Sequence, residues 1–146
     1  NNPYPWGGPY IRNSRGCFLS NFKPLRGRYM EDGGMHTVKT SSYHPNDFGL
    51  YCMSGNVAEW CRTAYDESMY EYAHDMNTEY IYHALDHDPP SMKRKVIRGG
   101  SWKDIGYYLQ NGSRSYEYQD TAKSYIGFRS VMNYLGRGGP NKEGDF

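Results

Sequence analysis

The chain has 146 residues, 17 basic and 16 acidic side chains and a formal net charge of +1. This length suits one domain with a modest core, and the balanced charge creates no long-range field that would collect nucleic acid or anionic lipid, so no nucleic-acid partner is expected. The 16 tyrosines and 17 glycines indicate a loop-rich fold with an aromatic interior.

Residues 1–48 contain Gly, Pro, Asn and Asp throughout, with no sustained hydrophobic period, which predicts irregular, turn-dominated structure. A helix is predicted from about residue 54 to Tyr65, because Ser54 or Asn56 can cap it and Glu59 would lie in its first turn. The residues that would share its apolar face are Val57, Trp60, Cys61 and Ala64.

Residues 68–90 have no clean period and close on two prolines, so a long loop or a short helix is expected. Residues 95–98 are predicted to form a strand that turns at Gly99 and Gly100, where the lack of Cβ permits positive φ and close backbone approach. A second strand is predicted over 125–131. The two strands are expected to be neighbours in one sheet.

The pattern divides the chain into a domain over 1–135 and a Gly-, Asn- and charge-rich tail over 136–146, expected to be mobile or bound to a partner. The sequence begins without Met and in mid-pattern, so we expect a fragment of a longer protein. No apolar run has the roughly 18 to 20 residues that span a bilayer.

Cysteines and histidines show no metal-binding spacing. The three cysteines are an odd number without a paired C-x-x-C spacing, so at least one thiol has no partner within the chain. Only two of the five histidines are spaced i, i+4, and the prolines that follow them disfavour the helix that ligation would need, so no zinc site is expected. These residues are Cys17, Cys52 and Cys61, and His36, His44, His74, His83 and His87.

Four segments in order resemble the formylglycine-generating enzyme, or sulfatase-modifying factor, family. They are residues 46–51, 53–60, 96–102 and 126–129, which carry Gly-Asn-x-x-Glu-Trp, Arg-Gly-Gly-Ser-Trp and Gly-Phe-Arg. The resemblance spans residues 4 to about 132 and corresponds to the later half of a family domain. It implies an α+β class: an irregular, loop-rich formylglycine-generating-enzyme-like fold, related to C-type-lectin-like folds, with little regular secondary structure.

Within this family the chain resembles the lipoprotein K branch of type IX secretion and gliding motility, known as PorK or GldK. The similar segments are residues 4–8, 21–27, 98–104 and 114–120. This implies a lipoprotein on the periplasmic face of the bacterial outer membrane, with membrane contact only through a lipid anchor outside this fragment. The implied role is structural: a homo-oligomer in a large ring with the N subunit of the protein-transport machine.

In catalytic relatives two cysteines follow the Arg-Gly-Gly-Ser turn and bind copper. The corresponding positions here hold Asp104 and Leu109, neither of which supplies the thiolate that Cu(I) needs. The resemblance therefore implies a pseudoenzyme without copper and without catalytic residues. The alternatives are an enzyme, either a copper oxidase with displaced ligands or an iron-dependent sulfoxide-synthase-like relative, and a module that binds glycan or peptidoglycan.

The family also has two structural calcium sites, whose positions carry over residue by residue. The first maps onto Asn21, the Phe22 carbonyl, Asp32 and the Gly34 carbonyl, which are hard oxygen ligands of the kind calcium takes. The alternative is a Gly-rich turn in which Asp32 is only solvated.

The second calcium site is degenerate, because Cys52 replaces an oxygen donor. Its remaining ligands would be the carbonyls of Gly55 and Val57 and the carboxylate of Glu59. The alternative for Glu59 is a bond to a nearby Arg or amide at a helix start.

The remaining motif residues are assigned structural roles. Arg98, Arg114 and Arg129 are expected to hold loops by bonding backbone carbonyls and carboxylates. Packing is expected from Trp60, Gly99, Gly100 and Trp102.

Overall fold

In the computed structural model, residues 2–26, 28, 30, 34–72 and 79–132 are described. Asp32, His74 and the tail over 136–146 therefore lie outside the described residues. The strands are β1 Ala58–Ala64, β2 Arg94–Arg98, β3 Ser115–Tyr118 and β4 Ile126–Gly127. The helices are α1 Met69–Tyr72 and three single-turn 3-10 helices, Thr40–Ser42, Pro90–Lys93 and Gly106–Leu109.

The strands form one mixed sheet in the order β3-β2-β1-β4. β2 pairs antiparallel with β3, with Val96 opposite Tyr116, and with β1, where Trp60 lies opposite Ile97. The register between β1 and β2 shifts beyond Trp60. β4 adds to the far side of β1 in parallel, over Ala58 and Glu59 only.

The helix predicted after residues 54–56 and ending near Tyr65 is wrong, since Ala58–Ala64 form the strand β1. Gly55 has φ +78° and Asn56 has φ +70°, whereas a helix N-cap has the extended conformation. The apolar side chains that seemed to follow a helical period are aromatic, small or β-branched and also suit a pleated surface. The deciding interaction is the ladder with β2, which lies far along the chain.

The other predicted elements are confirmed in part. β2 lies where a strand is predicted, and α1 is the short helix allowed for within 68–90. The strand predicted over 125–131 is reduced to Ile126–Gly127, and it does not neighbour β2 because β1 lies between them. The described part of residues 1–48 is irregular as predicted, with one 3-10 turn and an isolated bridge between Arg12 and Phe18.

The interior is aromatic only in part, and the aromatic core predicted from the composition is wrong for most of the tyrosines. Among the described residues, Tyr4 and Phe22 are the buried aromatic side chains, whereas Tyr10 and Tyr107 are exposed. Tyr4, Phe22 and Leu109 form a buried cluster against which Trp6 and Phe18 pack. The rings of Tyr4 and Trp6 stack at 5.0 Å, and Phe18 meets Phe22 edge to face at 5.0 Å, arrangements that aromatic quadrupoles favour. No helix among the described residues is both long and apolar enough to cross a membrane.

Candidate functional site

The turn after β2 brings the chain into close contact with two other loops. Gly99 has φ +86° and Gly100 has φ +68°, in agreement with the left-handed backbone expected of these glycines. A Cβ on Gly99 would lie 3.0 Å from the carbonyl oxygen of Met53, and one on Gly100 would lie 3.1 Å from that of Tyr108. The turn therefore serves as a junction at which backbones approach too closely for side chains.

Asp104, the first of the two residues that the resemblance places at copper-binding positions, closes the turn. Its carboxylate accepts hydrogen bonds from the Ser101 backbone N–H at 2.9 Å and from the Ser101 hydroxyl at 2.6 Å. Its backbone N–H donates to the Ser101 carbonyl at 3.0 Å, and its own carbonyl accepts from the Lys23 N–H at 2.9 Å. Ser101 is fully buried. Asp104 thus satisfies buried polar groups and ties the turn to the segment around Lys23.

Leu109, the second of these two residues, is a core residue. Its side chain is 0% exposed and lies in the cluster with Tyr4 and Phe22. Its carbonyl accepts a hydrogen bond from the buried hydroxyl of Ser54 at 2.7 Å. Leu109 therefore contributes its side chain to core packing and its backbone carbonyl as a hydrogen-bond acceptor.

A cavity of about 200 Å³ lies beside this turn. It is lined by Gly100, Lys103, Asp104, Tyr108 and Ser113 among others, and none of its described lining residues is a cysteine. The Ser113 hydroxyl is buried without a hydrogen-bond partner among the described residues. The cavity presents hydroxyl and carboxylate oxygens, which are hard ligands and differ from the thiolates that Cu(I) prefers, and an ammonium group, which has no lone pair for a metal.

Trp102 follows the turn and is half-buried. Its ring meets the His36 imidazole edge to face, with centroids 4.8 Å apart. Its indole N–H is buried and finds no acceptor in the part of the chain that the structure describes. Its backbone N–H donates to the Asn56 carbonyl at 3.0 Å, which links the turn to the loop that contains Asn56.

Two buried asparagines, Asn21 and Asn56, join three loops. The Asn56 side chain accepts from the Val38 N–H at 2.8 Å and donates to the Val38 carbonyl at 3.1 Å. The Asn21 amide donates to the His36 carbonyl at 2.7 Å and to the Asn56 oxygen at 3.3 Å. The sequence predicts Asn56 as a residue of the Gly-Asn-x-x-Glu-Trp motif and as one of two alternative helix caps, and not as a link between loops. The missed signal was its place beside Gly55, since Asn tolerates the left-handed conformation.

The predicted ligands of the first calcium site include Asn21 and Phe22. Asn21 bonds the backbone of His36, two residues beyond Gly34, while Phe22 packs in the core. Asp32, the one predicted ligand with a charge, lies outside the described residues.

The second predicted calcium position holds an ion pair instead. The Glu59 carboxylate bonds Arg129 at 2.8 and 3.1 Å, and the same guanidinium donates to the Tyr51 carbonyl at 2.8 Å. The hydrogen bond to Glu59 raises the pKa of Arg129 above its ordinary value. The Cys52 thiol donates to the Thr40 carbonyl at 3.2 Å. This donor set does not fit calcium, because Arg129 already compensates its only carboxylate.

The arginines hold loops, as expected for Arg98 and Arg129. Arg98 donates to the Asn111 carbonyl, and Arg129 links β1 to Tyr51 through Glu59.

Glu59→Gln should lower the free energy of unfolding by about 1–2 kcal/mol, because it leaves a half-buried guanidinium without its counter-charge. Its matched control is Glu79→Gln. Glu79 pairs with Arg62 at 2.7 Å, but those side chains are 41% and 67% exposed, against 23% and 30% for Glu59 and Arg129. The control should cost less than about 0.5 kcal/mol. Urea unfolding followed by tryptophan fluorescence measures both, and equal effects would contradict the structural role of the Glu59 pair.

All three thiols are free, and they differ in exposure. Cys17 is exposed, whereas Cys52 and Cys61 are half-buried. Burial raises the pKa of both half-buried thiols, although Arg129 lowers that of Cys52 and Arg98 lowers that of Cys61. The thiolate is the reactive form, so these two positions are chemically quiet at neutral pH.

Alkylation by iodoacetamide near neutral pH should therefore modify Cys17 first, with Cys52 and Cys61 slower by about tenfold or more. Peptide mass spectrometry at successive times measures the three rates. In the urea-unfolded chain the three thiols should react with iodoacetamide at similar rates. A native Cys61 as fast as Cys17 would indicate an activated thiol and contradict this expectation.

Within the described ranges no group of three or more His, Cys, Asp or Glu side chains is placed to hold a metal ion. His36 packs against Trp102, and His74 lies outside those ranges.

The sequence model of the sulfatase-modifying factor enzyme 1-like domain matches residues 1–134. The chain is similar to the formylglycine-generating enzyme of Streptomyces coelicolor, with 30% identity over 86% of this chain and 39% of that protein. It is similar to the bovine inactive C-alpha-formylglycine-generating enzyme 2, with 30% identity over 86% of this chain and 36% of that protein. It is also 33% identical to the serine/threonine-protein kinase pkn1 of Chlamydia pneumoniae, over 66% of this chain and 15% of that protein.

Two solved structures share the fold. PvdO from Pseudomonas aeruginosa superimposes with a TM-score of 0.64 at 23% identity, over 86% of this chain and 43% of that chain. Treponema denticola variable protein 1 gives 0.50 at 24% identity, over 75% and 34%. The chain thus spans less than half the length of each of these relatives and solved structures.

Proposed function

Because the chain belongs to the sulfatase-modifying factor enzyme 1-like domain family, we propose that it is a non-catalytic, structural domain of that family. More specifically, the chain would be part of lipoprotein K (PorK or GldK) of a type IX secretion and gliding-motility machine. It would act there as a ring subunit with the N component at the periplasmic face of the outer membrane. The wider relation to C-type-lectin-like folds is part of the same proposal.

The observation that supports the non-catalytic proposal is the environment of Asp104 and Leu109. Asp104 accepts hydrogen bonds from Ser101 that close a turn, and Leu109 is buried in the cluster with Tyr4 and Phe22. A position engaged in buried hydrogen bonds or core packing is not available to oxygen chemistry. The bovine relative is described by its name as inactive, which supports the existence of inactive members in this family.

The scaffold role is supported by the sheet. β3, Ser115–Tyr118, belongs to a segment that resembles lipoprotein K, and it is the outermost strand on its side of the sheet. Tyr116 on this strand is exposed and lies within 4.7 Å of Tyr65 and 6.1 Å of Tyr118, ring centre to ring centre. Clustered tyrosines at a strand edge are typical of protein contacts.

Electron microscopy of the assembly purified from its own cells tests the scaffold role. We expect rings that contain this chain together with a second subunit. An isolated monomer, or a complex without repeated copies of the chain, would overturn the scaffold proposal.

The competing function is formylglycine synthesis, which the name of the Streptomyces coelicolor relative favours. Cu(I) titration should give no thiolate-to-copper charge-transfer band, and a sulfatase-derived cysteine peptide should remain unmodified by mass spectrometry. The Streptomyces coelicolor enzyme is the positive control. A band that is lost in Cys61→Ser, together with peptide turnover, would establish catalysis with displaced ligands.

We also propose calcium at the first site, held by Asn21, Asp32 and the carbonyls of Phe22 and Gly34. The placement of the buried Asn21 supports this, since its side chain carries a hard oxygen and bonds the backbone of His36, near Gly34. Removal of calcium with EDTA should lower the melting temperature, by an amount that follows the calcium affinity through mass action. In Asp32→Asn the EDTA effect should vanish. An unchanged melting temperature in the parent chain would contradict bound calcium.

A further inference from the structure

Asn111 and Gly112 occupy the two central positions of an exposed turn. The turn spans Gln110 to Ser113 and is closed by a hydrogen bond from the Ser113 N–H to the Gln110 carbonyl at 2.9 Å. Both central residues are exposed, and no other asparagine of the sequence precedes a glycine. Asn and Gly are both common in turns. The pair also places a side-chain amide next to a backbone nitrogen that has no Cβ to shield it.

The Gly112 nitrogen is accessible in the folded chain. Its N–H makes no hydrogen bond to any of the described residues, and a Cβ built on Gly112 would meet nothing within 4 Å. A backbone nitrogen that is hydrogen-bonded or enclosed must first lose those contacts before it can react. Gly112 has neither obstacle to attack on the neighbouring Asn111 side chain.

Arg98 lies at the carbonyl of the same peptide bond. Its guanidinium donates a hydrogen bond to the Asn111 carbonyl, and the carbon of that carbonyl is bonded to the Gly112 nitrogen. The nitrogen attacks after it loses its proton, and a cation bonded to the amide oxygen favours the resulting anion. Arg98 and Asn111 also line one cavity of about 1010 Å³, which leaves room for a cyclic product and for water.

Asn13 provides a contrast within the same chain. It is also exposed, but its side-chain oxygen accepts hydrogen bonds from the backbone N–H groups of Arg15 and Cys17, both at 3.0 Å. These bonds hold the side chain in a local turn, and the next residue, Ser14, has a Cβ. Exposure therefore does not distinguish the two asparagines, whereas access to the following backbone nitrogen does.

We propose that Asn111 is a modification site at which the folded chain deamidates itself. The Gly112 nitrogen bonds to the side-chain carbonyl carbon of Asn111, the bond from that carbon to Nδ2 breaks, and the proton from the Gly112 nitrogen leaves with Nδ2 as ammonia. Water then opens the five-membered imide at either carbonyl carbon, which gives aspartate or isoaspartate and a new negative charge. Water is the only co-reactant, and the reaction is independent of the proposed scaffold role.

The modification changes how the first residues of the chain are held. Asn111 donates from its backbone N–H to the Pro3 carbonyl at 2.7 Å and from Nδ2 to the Asn2 carbonyl at 3.0 Å. Deamidation replaces the Nδ2 donor by a carboxylate oxygen, which leaves the Asn2 carbonyl facing another acceptor. Isoaspartate also adds a methylene group to the main chain and shifts the N–H that bonds Pro3. The modified chain thus loses contacts between residues 2–3 and the turn.

Incubation of the folded protein, as its own cells produce it, at mildly alkaline pH tests the proposal. Peptide mass spectrometry should find aspartate and isoaspartate accumulating at position 111 about fivefold faster or more than at position 13. Gly112→Ala should slow the reaction at position 111 about tenfold or more, because its methyl group shields the nitrogen. This variant should melt as the parent does, since the added Cβ meets no neighbour and Gly112 has no positive φ.

A second measurement tests the effect on the N-terminal contacts. The modified protein, separated from the unmodified protein by anion exchange, should melt a few degrees lower. Asn13→Asp is the control, because it adds the same charge at an exposed position and keeps the oxygen that accepts from Arg15 and Cys17. It should leave the melting temperature unchanged within about 1 °C.

Three outcomes would overturn the modification site. They are an unmodified Asn111 in the folded protein, equal rates at positions 111 and 13, and a rate at position 111 that Gly112→Ala leaves unchanged. Equal melting temperatures of the modified and unmodified protein would overturn the predicted loss of contacts to residues 2–3.

Discussion

Leu109→Ala lowers the free energy of unfolding by about 2–5 kcal/mol, because it opens a cavity in a core that has few alternative side chains to fill it. Leu109 is fully buried between Tyr4 and Phe22. For a chain of this length the loss corresponds to a fall of roughly 5–15 °C in melting temperature. Circular dichroism during heating and urea unfolding measure it.

Leu25→Ala is the matched control, since Leu25 is exposed. It should change stability by less than about 0.5 kcal/mol. A tolerant Leu109→Ala would contradict the assignment of this position to the core. It would also remove the main support for a non-catalytic protein, because the position would then be free for another use.

Gly55→Ala is expected to cost about 3–5 kcal/mol, from two effects that act together. Gly55 has φ +78°, and a Cβ there would lie 2.6 Å from the Asn21 carbonyl oxygen and closer still to the Ser20 hydroxyl. That carbonyl accepts the Asn56 N–H at 2.7 Å. The methyl group must therefore displace the hydrogen bond that joins two loops.

Gly8→Ala separates the two effects. Gly8 has φ +76°, and a Cβ there would meet nothing within 4 Å, so this variant bears only the backbone penalty of about 1–2 kcal/mol. Thermal melts of the two variants side by side give the steric part as the difference. Equal losses of stability in the two variants would mean that the loops around Gly55 move to accommodate the methyl group with no loss of free energy.

The strand β2 and the turn after it could be predicted because their signals are local. A short apolar run ends at Gly99 and Gly100, whose positive φ follows from the residue type itself. The irregular first part was predictable for the same reason, since Gly, Pro, Asn and Asp punctuate it throughout.

The element around β1 could not be predicted in this way. Its spacing of Val57, Trp60, Cys61 and Ala64 satisfies a helical period, and capping residues precede it. Hydrogen bonds to β2 and β4, which follow far along the chain, stabilise the extended form instead. No local signal reports a partner strand at that distance, and the same lack led to the wrong pairing of β2 with the segment 125–131.

The candidate site divides along the same line. The residue types alone identified the family of this chain, through its motifs. They also showed that positions 104 and 109 hold Asp and Leu and no thiol. Only the tertiary structure decided what these residues do and that Arg129 compensates the charge of Glu59. The physical reason is that glycine conformation and ligand chemistry are properties of single residues, whereas burial, charge compensation and strand pairing depend on segments that meet only when the chain folds.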